Sequence, residues 1–482
     1  MEAKRKSAHQ LAREIGNGQN TARRLTEEGL KRCKNLNASL NTFTFIAENE
    51  ALEQAKRVDK MIAAGEELPL AGVPLAVKDD FCCSGLPASL GSAAFKNFVS
   101  PYSAAAVEAL LEAGCVLIGK TNLDDMGMGS STLSSPFGPS LNPWSTEYAA
   151  GSAGAAAVSS GQCLLSLESD TGGALRLGAS HCGIFGLRPT PGRISRYGLS
   201  AFSSSFSQAG IAAANPEDIG VALEVLSGFD ERDVSTVLCR ELPQEKEKDI
   251  DPGTITIGVW DGDGDRQSSA NRDLIGQTGE KFRQGDFKIS EISLELFQET
   301  LRAYYIVAFA EASSNLSRYD GIRFGEAAAA RNLDELYEQS RRCTFGKEAR
   351  RRSIFGTVLL GKDRFEPYYR QALKIRRLFQ EEMARVFKQC DLLLLPVVKN
   401  LAPLIGREAG FIDQYEEDYY TAPISLAGLP ALSLPAGTIE NMPVGLQLVG
   451  PPLADDLILK VAAGIAEGLS IPPIAVRPGR DS

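Results

Sequence analysis

Histidine is nearly missing from the chain: two residues, His9 and His181, in 482. That shortage excludes most zinc sites and leaves a Ser-His-Asp triad without an obvious base. His9 lies in a polar stretch near the first expected helix. His181, within Ala179-Ser180-His181-Cys182-Gly183, reads as a packed core residue rather than a base. No apolar run approaches the roughly 20 residues that a membrane span requires, so no membrane association is expected. Met1-Glu2-Ala3-Lys4-Arg5-Lys6 is followed by no apolar stretch, so no secretory signal is expected either. The nine cysteines are odd in number and scattered, with no C-x-x-C pair; vicinal Cys82-Cys83 suits neither an ordinary disulfide nor zinc. Reduced thiols in a cytoplasmic protein are the expectation. Asp261-Gly262-Asp263-Gly264-Asp265 imitates the start of a calcium loop, but Arg266 and Arg272 stand where that loop needs Gly and Glu, so a solvated turn is expected. No metal and no cofactor is expected. The net charge of −10 argues against a direct grip on nucleic acid, whose phosphates are held chiefly by Lys and Arg.

What is present is an ordinary globular composition, 43% apolar and 23% charged, in a chain long enough for a large core. Residues 7–35 and 46–64 read as helices. Leu75-Ala76-Val77 is a short apolar run that sets Lys78 at a strand end. Ser103 is placed to cap a helix carrying Val107, Leu110 and Leu111, which Gly114 stops before the strand Cys115–Ile118. Residues 149–161 are almost entirely Ala, Gly and Ser. They read as close packing rather than a linker, because Leu164–Leu167 follows directly as a core strand. Residues 240–253 form a charged connector, and Thr254–Trp260 reads as a strand. Residues 290–390 look mostly helical, ending in a helix with Ile375, Leu378, Phe379, Met383 and Val386 at helical spacing. Asp391–Pro396 is a buried strand, and Ala431–Pro435 with Val444–Gly450 predicts a hairpin. Strands at both ends predict an α/β fold: a single domain with a central mixed sheet flanked by helices.

Ser169-Asp170-Thr171-Gly172-Gly173-Ala174-Leu175-Arg176 looks like a serine hydrolase nucleophile loop with alanine where the hydroxyl belongs. Thr171, Gly172 and Gly173 can present backbone N–H groups as an oxyanion hole, or can simply form a tight turn. Lys78 can serve as a base if burial lowers its pKa, or can be an ordinary surface lysine.

Twelve segments carry a family resemblance. They include Gly72–Asp79, Gly119–Asp124, Met128–Thr132, Phe137–Pro139, Asn142–Trp144, Ser169–Gly173, Gly186–Thr190 and Arg193–Gly198. Glu311–Leu316, Arg318–Gly321, Leu426–Pro430 and Pro443–Gln447 follow in order. From about residue 7 to 450 the chain resembles the amidase signature family, and within it the A subunits of glutamyl-tRNA(Gln) amidotransferase. The match from near residue 7 leaves no expected room for a transit peptide. The resemblance implies one amidase-signature domain over 1–482. Its expected parts are N-terminal helices (1–65), a signature core (66–239), a mostly helical insert (240–390) and C-terminal strands closing the sheet (391–482).

The family uses a Ser–Ser–Lys triad: a nucleophile, a relay serine and a lysine base. By resemblance the lysine is Lys78 and the nucleophile position is Ala174. The relay belongs to a G-G-S-S-G-G-S segment, here Tyr148-Ala149-Ala150-Gly151-Ser152-Ala153-Gly154. An ungapped alignment from Ala155–Val158 puts Ala150 at the relay; a gapped one puts Ser152 there. In the A subunits a Tyr, an Arg and an Asp hold glutamine, which points to Tyr305, to Arg351 or Arg352, and to Asp418. The implied ligand is a small amide such as glutamine, and the implied partners are C-subunit-like and B-subunit-like proteins. Three readings follow: a degenerate, catalytically silent homologue acting by ligand or partner binding; an active enzyme with a substitute nucleophile among Ser152, Ser169 and Cys182; and a purely structural protein with a vestigial pocket.

Overall fold

Leu392, Leu393, Leu394 and Leu395 are all buried, yet they do not share one core. Leu392 and Leu394 belong to one apolar cluster, Leu393 and Leu395 to another. Successive strand residues point to opposite faces, so an unbroken apolar strand is one covered on both sides. That strand lies within a three-layer α/β/α body.

The structure, a computed structural model, describes residues 6–200, 202–236, 250–260, 262, 268–320, 322, 324, 327–407 and 410–469. Most of the charged connector and all of the Asp261–Asp265 turn except Gly262 lie outside the described residues. The strands are β1 (Phe43–Ile46), β2 (Pro74–Lys78), β3 (Val116–Thr121), β4 (Leu165–Asp170), β5 (Phe185–Arg188), β6 (Gln208–Ala213), β7 (Thr256–Val259), β8 (Lys288–Glu291), β9 (Leu392–Pro396), β10 (Ala431–Ile439) and β11 (Met442–Val449). They form one 11-stranded mixed sheet, ordered β1-β3-β2-β4-β6-β5-β10-β11-β9-β7-β8. β2 runs parallel to both β3 and β4, whereas β6, β5, β10 and β11 are paired antiparallel. The expected hairpin is present. Glu440 and Asn441 make its turn with φ of 51° and 63°, the left-handed pair that a two-residue turn between twisted strands needs.

Several local expectations are corrected. The helix expected over 7–35 is two, Ala8–Gly16 and Ala22–Leu40. The break falls at Gly16-Asn17-Gly18, where Gly18 takes φ +71°, and Thr21 caps the restart. Ser103 does not cap its helix; Ala104 holds that position, and the Ser103 hydroxyl accepts from the Ser84 N–H instead. Leu378 is half exposed while Phe379, Met383 and Val386 are buried, so the apolar stripe of helix Arg370–Val386 is narrower than its spacing suggests. The expected strand at Thr254–Trp260 is β7, and an unexpected strand, β8, pairs with it to complete the sheet edge beside β9.

The small-residue segment is the short helix Ala153–Ser159, wedged against the sheet. Its composition follows from contact: a Cβ on Gly154 would lie 1.8 Å from Glu168 Oε1, and one on Gly178 would lie 2.3 Å from Ser152 Cβ. Among the described residues no helix is long and apolar enough to cross a membrane.

Candidate functional site

β4 ends at Asp170, the chain turns through Thr171-Gly172-Gly173, and the helix Ala174–Cys182 begins. Asp170 anchors the turn. Its carboxylate takes Arg176 Nε at 3.0 Å and Nη2 at 3.1 Å, with Arg188 Nη1 at 3.1 Å from Oδ1 and 2.5 Å from its carbonyl oxygen. Arg176 continues to Gln447 Oε1 (2.9 Å), the Thr421 carbonyl (3.1 Å) and Ser425 Oγ (2.8 Å). All three charged groups are fully buried. Burial works against the Asp170 charge, but Arg176 and Arg188 outweigh it and hold the carboxyl below its ordinary range.

Both glycines of the turn are dictated by neighbours. A Cβ on Gly172 would sit 2.6 Å from the Tyr304 hydroxyl. One on Gly173, whose φ is +138°, would sit 2.1 Å from Thr421 Oγ. Gly173→Ala is therefore expected to cost about 2–4 kcal/mol, from overpacking and a backbone angle closed to L side chains. A shift in the denaturation midpoint measures it, and an unchanged midpoint would show that the turn relaxes freely.

Lys78 closes β2 beside this turn. It is only 7% exposed, and its Nζ donates to Ser169 Oγ at 2.9 Å. Ser169 Oγ in turn donates to Asp80 Oδ2 at 2.5 Å, and Lys78 Nζ stands 3.9 Å from the same oxygen. The surface lysine alternative is thus corrected. Lys78, Ser130, Ser169, Thr171, Gly172, Gly173, Ala174, Tyr304, Arg352 and Asp418 line one cleft with about 340 Å³ of empty space. A second chamber of about 430 Å³ adjoins it through Gly127, Ser169, Thr171 and Phe202, with Asp80 and Tyr319 in its wall.

The structure places the remaining candidates unevenly. Ala174 opens its helix on the cleft. Ala150 is buried in the core. Ser152 caps the helix Ala153–Ser159 and donates to Glu168 Oε2 at 2.9 Å; among the described residues it makes no hydrogen bond to Lys78. Cys182 is fully buried, donates to the Ala150 carbonyl, and has its thiol pKa pushed up by burial, which disfavours the thiolate. His181 is a core residue as expected; burial lowers its pKa to about 4, so it is neutral at pH 7.

On the substrate-side motif, Arg352 lines the cleft and Arg351 does not; both pair with Glu348, at 2.7 and 2.6 Å. Burial opposes the Arg352 charge, and Glu348 outweighs it. Tyr305 supports Asp418, donating to Oδ2 at 2.6 Å, while Ser130 Oγ reaches Oδ1 at 3.4 Å. Burial raises the Asp418 pKa. The tyrosine that lines the cleft is its neighbour Tyr304. Adjacent tyrosines on one helix give no sequence signal for choosing between them. Glu168 is a further residue that the sequence reading misses: fully buried, it accepts from Ser166 and Ser152. A carboxylate following Leu165-Ser166-Leu167 within the fully buried strand β4 is the available signal.

This cleft has the ingredients to hold a small zwitterion: a guanidinium, a carboxylate, an ammonium, and backbone N–H groups at a helix start.

The Amidase family model matches residues 24–459. The chain is 37% identical to the glutamyl-tRNA(Gln) amidotransferase A subunit of Natranaerobius thermophilus, over 98% of this chain and 97% of that one. It is 41% identical to the protein of the same name from Nitrosomonas europaea, over 95% of each. The crystal structure of the glutamyl-tRNA(Gln) amidotransferase A subunit from Thermotoga maritima superposes with a TM-score of 0.74 at 31% identity, covering 92% of this chain and 91% of that one. The chain is a member of the amidase signature family and a homologue of the glutamyl-tRNA(Gln) amidotransferase A subunits.

Proposed function

We propose that the chain is a catalytically silent member of the family that retains an amino-acid-binding cleft of the glutamine type. One observation carries this: the helix facing Lys78 across the cleft starts with Ala174, and Ala150 offers no relay hydroxyl. Arg352, Asp418 and its support Tyr305 remain in place to hold a ligand. In this reading Thr171, Gly172 and Gly173 keep an oxyanion-type turn without a nucleophile to serve. The chain would act in the cytoplasm through its ligand and through C-subunit-like and B-subunit-like partners of an amidotransferase complex.

A second reading has one observation in its favour. Ser169 presents its hydroxyl to the cleft, accepting a hydrogen bond from Lys78 and donating one to Asp80, so Ser169 is the substitute nucleophile to test. A fluorophosphonate probe separates the two. No labelling of the purified chain is expected; stoichiometric labelling abolished by Ser169→Ala would overturn the silent reading.

A further inference from the structure

We infer that the cleft beside Lys78 is a carboxylate subsite, so that its preferred small ligand is a dicarboxylic amino acid rather than the corresponding amide. The inference rests on the amino-acid-binding reading above and names the ligand class for that cleft.

The lining carries two cations, Lys78 and Arg352, against one anion, Asp418. Arg352 is already paired with Glu348 and Lys78 faces Asp80, so the unfilled hydrogen-bond donors rather than net charge select the ligand. Lys78 faces Asp80 Oδ2 at 3.9 Å. Glu168 lies beside it, one step beyond the paired Val77 and Leu167, within electrostatic reach. An ammonium carries three N–H donors, and among the described residues its hydrogen bond goes to Ser169 alone.

The Tyr304 side chain is 1% exposed, and its hydroxyl opens on the cleft with no hydrogen-bond partner among the described residues. The N–H groups of Gly172, Gly173 and Ala174 likewise take no acceptor there. A carboxylate only accepts hydrogen bonds, so it satisfies donors from all of these sources. A primary amide would bring two N–H donors of its own against them. Asp418 is left to take the ligand's ammonium.

The test is calorimetric titration of the full chain with L-glutamate and with L-glutamine. Glutamate is expected to bind at least about tenfold more tightly. Lys78→Met should bring the two within about threefold by weakening glutamate alone. Tyr304→Phe, which removes one hydroxyl and keeps the ring, should weaken glutamate more than glutamine, and it serves where Lys78→Met fails to fold. Glutamine binding as tightly as glutamate would overturn the carboxylate subsite and leave the amino-acid cleft standing. No binding of either at millimolar concentration would overturn both.

Discussion

Asp170→Asn is expected to destabilise the chain by about 3–5 kcal/mol, because it leaves two buried guanidiniums without their counter-charge. Among the described residues Asp170 is the only carboxylate in ion-pair contact with Arg176 or Arg188. Gln447, Ser425 and the Thr421 carbonyl would still accept from Arg176, but none of them is charged. The loss should fall on the turn that shapes the cleft, since Arg188 also holds the Asp170 carbonyl and Arg176 ties the turn to Thr421. Denaturant titration measures it; a loss under about 1 kcal/mol would mean that water or rearrangement relieves the charges.

The pH dependence has a definite sign. Asp170 is held below its ordinary pKa in the folded chain. Its contribution is therefore fully present above the unfolded value of about 3.9 and fades as the pH falls toward and through the lower folded value. The variant should show a flatter acid limb than the parent chain below about pH 4.

Ala174→Ser alone is expected to give no measurable amide hydrolysis. Removing a serine nucleophile typically lowers kcat about 10⁶-fold, and restoring the hydroxyl recovers little without a base in reach. Lys78 already donates to Ser169, and Ala150 supplies no relay. Rebuilding Tyr148–Gly154 to G-G-S-S-G-G-S would place a serine at 154. The structure shows why that also fails by itself: a Cβ there lies 1.8 Å from Glu168 Oε1. Activity should appear only when Ala174→Ser and the rebuilt segment are combined with Glu168→Gly. Full activity from Ala174→Ser alone would show that Ser152, or a water, already acts as relay.

The sheet's centre is legible in the sequence because its strands are short apolar runs bounded by turn residues, as in Leu75–Val77 and Leu164–Leu167. β1, β5 and β6 are not. Phe43–Ile46 is a four-residue run between two helices, set off only by the Asn41 cap, and Gln208–Ala213 is rich in small residues whose strand character comes from the partners it pairs with. At the site, Lys78 and the Thr171–Ala174 turn are found through their motif. The choice of Tyr304 over Tyr305 is not, because only the helix's rotation against the Gly172 turn decides which ring faces the cleft. The link between Glu168 and Ser152 joins residues 16 apart and follows from packing of a helix on β4, which no local pattern encodes.

Ammonia release from glutamine by the purified full-length chain is the most direct measurement. A silent cleft predicts no release above the rate of the uncatalysed reaction, at any enzyme concentration. Turnover within about tenfold of an ordinary enzyme's roughly 10 s⁻¹, abolished by Ser169→Ala, would contradict it and make Ser169 the nucleophile.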